Sequence, residues 1–184
     1  MGWTAEQKQQ SRKKIIDSAA ELFTKDGFDK VAINDVMKHA GLTRGAFYNH
    51  FESKSDLYAE AILSAAHLAK SHTIERAGFQ LSDIIETYLS DKHRNGEFCC
   101  PLAFLTTDIH QRDDQVRTTY TRVLKGFINN IHELNVGQPA LDESEAIKKA
   151  VLMIGGVAIA RAVNEDDFAE QLLSACREGV NKGG

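Results

Sequence analysis

The sequence contains little proline and little cysteine, and it lacks any long apolar run. Two prolines, Pro101 and Pro139, among 184 residues leave long stretches in which an α-helix can continue. No apolar stretch approaches the roughly 18 residues that a membrane span needs, and the first residues lack the apolar core of a signal peptide. We therefore expect a soluble, cytoplasmic protein that makes no use of a membrane.

Cysteine and histidine are too sparse and too irregularly spaced for a metal site. The three cysteines, Cys99, Cys100 and Cys176, are an odd number in a chain that can bury an ordinary core, so free thiols are expected. There is no CxxC motif and no pair of histidines four residues apart. No nucleophile with a base, carboxylate pair or phosphate-binding glycine loop is visible. The sequence predicts no metal, no cofactor and no enzymatic activity.

Charge is distributed unevenly along the chain. The whole sequence has 22 Lys and Arg against 26 Asp and Glu, a net charge of −4. Residues 1–54 hold nine basic and seven acidic side chains, net +2, which leaves thirteen against nineteen, net −6, in residues 55–184. A polyanion that binds this protein should therefore contact its N-terminal third.

Apolar residues recur at intervals of three and four, and this spacing predicts an all-α fold. The first helix is expected over about residues 9–25, where Gly27 ends it, and Gly41 permits a tight turn after a short second helix. The predicted helices are at about residues 9–25, 33–39, 44–49, 53–76, 81–91, 102–110, 114–134, 144–164 and 168–180.

A helix-turn-helix pattern lies in residues 31–57, which read VAINDVMKHAGLTRGAFYNHFESKSDL. Two short helices meet at Ala40-Gly41-Leu42, and the polar side of the second helix stays free to enter a DNA groove. Arg12, Ile16 and Phe23 extend the pattern upstream. Over residues 12–60 the sequence resembles the TetR family of regulators.

The resemblance implies an N-terminal three-helix DNA-binding domain at residues 1–53 and a C-terminal helical domain at residues 54–184 for effector binding and dimerisation. It implies that the recognition helix opens at Thr43 and Arg44 and that Lys54 touches a phosphate. Gly45 allows either close helix packing or close approach of the backbone to DNA. The predicted DNA-binding residues are Thr43, Arg44, Gly45, Tyr48, Asn49, His50 and Lys54.

One residue departs from the family pattern. Ala32 stands where the family usually carries a serine or threonine that caps the second helix and contacts phosphate. One phosphate contact of the family is therefore expected to be missing here.

One small helix-turn-helix domain contacts too few base pairs to specify a single site in a genome. We therefore expect a homodimer that binds a palindromic operator in double-stranded DNA. The predicted dimer residues are Val151, Ile154, Val157, Ala158, Phe168 and Leu172. Packing inside one protomer is a compatible interpretation of part of this set. The predicted walls of a small-molecule pocket are His67, Tyr88, Cys100, Phe104, Tyr120, Phe127 and Met153, for which plain core packing is the alternative.

These patterns together predict a DNA-binding transcriptional regulator, a repressor that leaves its operator when a small molecule binds; repression follows from the resemblance alone. The alternative is a thiol-switched regulator. Pro101 fits the first turn of a helix, so Cys99 and Cys100 should lie at a helix N-terminus, where the thiol pKa is lowered. A small buried apolar cysteine is the competing interpretation.

Overall fold

The computed structural model describes residues 4–77, 80–98, 100–134 and 142–182, which form helices joined by turns. These residues contain no β-strand, so the all-α prediction is confirmed. The helices are α1 (Ala5–Asp26), α2 (Ile33–His39), α3 (Arg44–Phe47), α4 (Lys54–Ala77), α5 (Leu81–Tyr88), α6 (Asp91–Arg94), α7 (Pro101–Phe104), α8 (Thr106–Ile109), α9 (Asp114–Glu133), α10 (Glu143–Ala162) and α11 (Asp166–Lys182). We call α1–α3 the head and α5–α11 the body.

Helix α1 begins earlier than its apolar pattern indicates because polar residues cap it. The Thr4 hydroxyl accepts a hydrogen bond from the Gln7 amide at 3.2 Å, and the Gln7 side chain accepts one from the Thr4 amide at 2.9 Å. This reciprocal capping box satisfies two amides of the first turn. The helix ends at Gly27, whose φ of +80° suits a residue without a side chain.

The core of the head continues beyond the helix-turn-helix. Its fully buried members from α1–α3 include Ile15, Phe23, Val36 and Phe47, and the first turns of α4 add Leu57, Tyr58 and Ile62. Leu105, Ile109 and Val116 of the body belong to the same apolar cluster. The head therefore rests directly on α8 and α9.

Two short helices replace the single helix predicted over residues 102–110. Helix α7 ends at Phe104 and α8 begins at Thr106, because Leu105 leaves helical geometry with φ −110° and ψ 1°. The Thr106 hydroxyl donates to the carbonyl of Leu102 and stabilises the break. The predicted helix over residues 81–91 is likewise shorter, ending at Tyr88, and α6 follows as a separate turn.

Helices α10 and α11 pack closely and form the core of the body. Ile154 and Val157 are 8% and 0% exposed in this core. The sequence assigned both to the dimer interface, and the structure corrects that assignment because their side chains are covered within one protomer. Gly156 permits the close approach, since a Cβ at this position would lie 2.8 Å from Cys176 Sγ.

We predict opposite effects of alanine at two helical glycines. Gly156→Ala should lower the free energy of unfolding by about 1–3 kcal/mol, because the added methyl group overlaps Cys176 and Leu89. Gly126→Ala in α9 should raise it by about 0.5–1 kcal/mol, because a Cβ there has no heavy atom within 4 Å and alanine favours helix. Urea denaturation at one fixed protein concentration measures both changes. Equal midpoints for the two variants would contradict the packing described.

Candidate DNA-binding face and effector cavity

Helix α3 buries one side and exposes the other. Phe47 is fully buried and stacks on Phe51 at 5.7 Å between ring centroids, which fixes the helix against the head. Tyr48 is 61% exposed and leans edge-on against Phe47 at 5.2 Å. The small or polar residues beside it in the sequence are exposed as well, so this side of α3 faces water. We call it the recognition face; it consists of Thr43, Arg44, Gly45, Tyr48 and Asn49, all exposed.

Lys54 and His50 make contacts inside the protein that the sequence did not indicate. The Lys54 ammonium donates a hydrogen bond to the backbone carbonyl of Phe28 at 2.5 Å, and it lies 4.2 Å from the centroid of the Phe28 ring. His50 Nε2 lies 2.9 Å from the Ser11 hydroxyl. Burial lowers the pKa of both side chains. Each of them ties the recognition region to α1 or to the loop that follows α1.

The N-cap of α2 is Ala32, which supplies no side-chain hydrogen bond. The Asp35 carboxylate accepts a hydrogen bond from the Ala32 amide at 2.9 Å and so provides half of a capping box. The hydroxyl that the family usually carries at this position is replaced by a methyl group. Asp35 therefore stabilises the start of α2 from within the helix.

A network of side chains joins the head to the body. Arg112, between α8 and α9, donates two hydrogen bonds to the Asp29 carboxylate, at 3.0 and 2.8 Å, and lies 4.5 Å from the Phe28 ring centroid. The Tyr58 hydroxyl of α4 donates to Asp108 at 2.6 Å, and Asp108 pairs with Arg112 at 3.2 Å. The hydrogen bond from Arg112 lowers the pKa of Asp29. We call these five residues the head–body joint.

A cavity of about 520 Å³ lies between α4, α5, α7 and α9. Its volume is in the range of pockets for small molecules. Apolar side chains form most of its lining, among them Leu63, Ile84, Phe98, Leu102, Val123 and Ile131. Its polar lining residues are His67, Lys70, Thr73, Asn130 and Glu133.

The structure brings some of the predicted pocket residues to this cavity and leaves others elsewhere. His67, Tyr88, Cys100 and Phe127 line it. Tyr120 is turned to the Leu102 carbonyl, to which its hydroxyl donates at 2.9 Å, and Met153 is fully buried in the body core. Phe104 lies beneath the Arg161 guanidinium at 3.5 Å. Sequence reasoning missed Lys70 and Asn130, because polar residues on long helices resemble any solvent-facing position.

The sequence similarity to a known protein family lies in the head and the start of α4. The family model described as bacterial regulatory proteins, tetR family, matches residues 15–61, which contain α2, α3 and the whole recognition face. Residues 15–61 are therefore similar to the DNA-binding domain of the TetR family. The resemblance found in the sequence is thereby confirmed.

Two curated TetR-type relatives match the N-terminal part of the chain. The transcriptional regulator AcrR of Shigella flexneri is 42% identical over 57 residues, which are 31% of this chain and 26% of AcrR. The regulator TtgR of Pseudomonas putida is 38% identical over 69 residues, 38% of this chain and 32% of TtgR. The match thus spans about a quarter to a third of these relatives' lengths.

The fold of the whole chain is shared more widely than its sequence. The crystal structure of a TetR-family regulator from Cytophaga hutchinsonii superposes with a TM-score of 0.79 at 18% identity, over 98% of this chain and 97% of that one. At this identity the likeness establishes the TetR-family fold.

In the parts of the chain described, no helix is long and apolar enough to span a bilayer, and no three His, Cys, Asp or Glu residues are placed to hold a metal ion.

The thiol of Cys100 differs from the sequence-based expectation. Cys100 is the N-cap of the four-residue α7, is 4% exposed and lies 3.3 Å from the Tyr88 hydroxyl. Burial raises the pKa of this thiol, so the prediction of a lowered thiol pKa is wrong for Cys100. Cys99 lies outside the described residues. The half-buried Cys176 also has its pKa raised by burial.

An apolar row remains exposed on α10. Ile147, Val151 and Ile159 are 41%, 64% and 57% exposed and follow one another at intervals of four and eight. Residues spaced in this way share one side of a helix. Phe168 of α11 is exposed as well, whereas Ala158 and Leu172 are half-buried. We call Ile147, Val151 and Ile159 the α10 row.

A column of stacked rings runs from the cavity to α10. Phe98, a cavity wall, stacks between His72 of α4 and His93 of α6, at centroid distances of 4.9 and 4.3 Å. His93 stacks in turn on Phe104 at 5.6 Å, and Arg161 of α10 covers Phe104. His93 is fully buried and donates from Nδ1 to the Tyr88 carbonyl at 2.6 Å. Burial lowers the pKa of His93 to about 4.

The pKa of His93 predicts a defined dependence of stability on pH. Between about pH 4 and 6.5 the unfolded chain binds a proton that the folded protein does not, so this residue's contribution to stability is present above pH 6.5 and is lost as the pH falls. The loss approaches about 3 kcal/mol at pH 4. The difference in unfolding free energy between wild type and His93→Phe should therefore increase with pH across this window. The exposed His110→Phe serves as the control, and a pH-independent difference for His93→Phe would refute the assignment.

Proposed function

We propose that this TetR-family protein is a homodimeric repressor that binds a palindromic operator through α3 and leaves it when a small molecule occupies the cavity. The observation that carries the proposal is the recognition face. A tyrosine 61% exposed and an exposed arginine, on a helix fixed by a buried phenylalanine, present hydrogen-bond donors that a DNA groove can accept. The cavity beside α4 gives a ligand access to the helix that supports this face.

The recognition face carries the chemistry needed to read DNA. The Arg44 guanidinium can donate two hydrogen bonds to the major-groove edge of guanine, and the Tyr48 hydroxyl can donate to a phosphate. Thr43 and Asn49 add short polar groups on either side. Lys54 and His50, held by Phe28 and Ser11, position the face rather than extend it. We therefore propose that the five residues of the recognition face, without Lys54 and His50, contact DNA.

Dimerisation would supply the second half-site. The α10 row is an exposed apolar strip on a long helix, and a copy of the same strip related by a two-fold axis would cover it. Residues 1–53 would then act as the DNA-binding domain and residues 54–184 as the effector-binding and dimerisation domain, with α4 connecting them. A dimer bound to its operator excludes other proteins from that DNA, which is the physical basis of repression.

Effector release would act through α4 and the head–body joint. The cavity lies between α4 and α9, and the joint ties the beginning of α9 to the loop after α1. A ligand that separates α4 from α9 would change the angle of the head and therefore the spacing of two heads. A hundredfold preference of the ligand for the DNA-free conformation corresponds to about 2.7 kcal/mol of coupling.

We predict that Arg44→Ala combined with Tyr48→Phe strongly weakens specific DNA binding. Loss of a bidentate contact to guanine costs about 1–3 kcal/mol, and the lost hydroxyl adds to it, so affinity for the selected site should fall at least about tenfold to a hundredfold. The operator is first selected from random duplex DNA with the wild-type protein, and binding is then titrated at several salt concentrations.

The control is Lys25→Ala, which removes one positive charge from the head outside the recognition face. It should keep the preference for the selected site over random DNA. Equal binding of the selected site by wild type and the double variant would contradict the proposed role of α3. Weak, steeply salt-dependent binding by all three proteins would show that the head does not read sequence.

We predict that Val151→Glu combined with Ile159→Glu produces a monomer. Carboxylates in an apolar interface would remain unpaired, so dimers should be lost at micromolar concentration while the helical circular dichroism is kept. Operator affinity should fall by at least about a hundredfold, because the second head no longer binds from a tethered position. The matched control, Thr118→Glu with Thr121→Glu on exposed α9 positions, should remain dimeric in sedimentation. An intact dimer in both variants would exclude the α10 row.

A further inference from the structure

The polar lining residues of the cavity occur on two facing helices. Lys70 of α4 and Asn130 of α9 meet across it, where the Lys70 ammonium donates to the Asn130 side-chain oxygen at 3.0 Å. An ammonium group has three N–H donors and a carboxamide has two, so this single bond leaves donors for a ligand. Lys70 remains exposed to water, and an anion that binds it would keep part of its hydration.

The rest of the lining is suited to an apolar ligand. Leu63, Phe98, Leu102 and Val123 contribute side chains without hydrogen-bonding groups. The volume of about 520 Å³ accommodates a body of one or two fused rings or a folded alkyl chain. A ligand with polar groups along its whole length would lose hydrogen bonds to water on these walls. The cavity therefore favours a molecule that is apolar at one end and polar at the other.

A basic groove on the outer side of α9 adjoins the cavity at Gly126, which lines both. Arg117, Arg122 and Lys125 line this groove, and Asp114 is the acidic residue among its lining residues. Residues 55–184 as a whole have a net charge of −6, so three cations on one helix face are a local reversal of sign. Such a patch attracts anions toward the adjacent opening.

Glu133 is the one carboxylate among the described residues that line the cavity. It is exposed to water on α9 beyond Asn130. Glu133 and Asp114 of the groove are two negative charges, whereas Lys70 in the cavity and the three cations of the groove are four positive charges. The balance of charge around the opening is therefore positive.

We propose that the effector is an amphipathic organic anion, whose apolar body fills the cavity and whose carboxylate or sulfonate is bound by Lys70 and Asn130. This inference rests on the proposed function, because it names the ligand class of the same cavity. Lys70 and Asn130 then determine specificity for the anion, while the apolar walls provide most of the buried surface.

The test uses two fluorescent probes that differ by one anionic group. These are 8-anilino-1-naphthalenesulfonate and its uncharged parent, N-phenyl-1-naphthylamine, titrated into the full chain. Wild type should bind the sulfonate more tightly. Lys70→Met keeps the apolar part of the side chain and removes its charge, so affinity for the sulfonate should fall roughly tenfold while that for the uncharged probe changes less than about twofold. Lys25→Met, in the head, should leave both affinities unchanged.

A second variant tests whether the probes occupy the cavity. A Cβ at Gly126 has no heavy atom within 4 Å, so Gly126→Leu can fold normally while its side chain fills space at the opening. Both probes should bind this variant more weakly. Circular dichroism of each variant verifies the fold.

The results with the two probes distinguish an error in the proposed ligand class from an error in the proposed effector function. Equal affinity of the two probes for wild type and Lys70→Met, with both weakened in Gly126→Leu, would overturn the anionic class and leave the cavity as the effector site. Absence of binding, or binding unaffected by Gly126→Leu, would overturn this inference together with the effector part of the proposed function. Operator binding is measured independently and decides the role of the head.

Discussion

Helix α4 is shared by two apolar cores, and the relation between head and body depends on it. Its first turns bury Leu57, Tyr58 and Ile62 in the head, and its later turns provide Leu63 and Lys70 to the cavity. A helix of 24 residues is about 36 Å long. Because close-packed interiors do not deform continuously, the proposed displacement of α4 at the cavity would be transmitted to the head.

The head–body joint gives the head a second point of attachment. Arg112 holds Asp29 by two hydrogen bonds and covers Phe28, while Tyr58 and Asp108 connect the same network to α4 and α8. Together with the apolar core that the head shares with Leu105, Ile109 and Val116, the joint defines the orientation of the head relative to the body.

The surface features that carry the proposals share a physical property: each exposes to water a group that a partner could cover or bind. Tyr48 exposes most of an aromatic ring, and the α10 row exposes Val151 and Ile159 to water. The basic groove on α9 concentrates like charges on one helix. The proposed binding to DNA, to a second copy and to an anion would account for them.

The helix-turn-helix, the all-α fold and the positions of the long helices could be predicted from the sequence, because helical periodicity and turn glycines act over a few residues. Gly27 and Gly41, both with positive φ, end or turn the chain where the pattern indicates. The cap of α1 at Thr4 was missed, although Thr4 and Gln7 have the spacing of a capping box.

Tertiary packing determines which of the spaced residues remain exposed. It buries Ile154 and Val157 in the core of the body, and it turns Lys54 toward Phe28. It also raises the pKa of Cys100, since burial outweighs the effect of a four-residue helix. Lys70 and Asn130 are 60 positions apart and meet only because α4 packs against α9. Burial and pairing depend on contacts between distant segments, and local spacing contains no information about them.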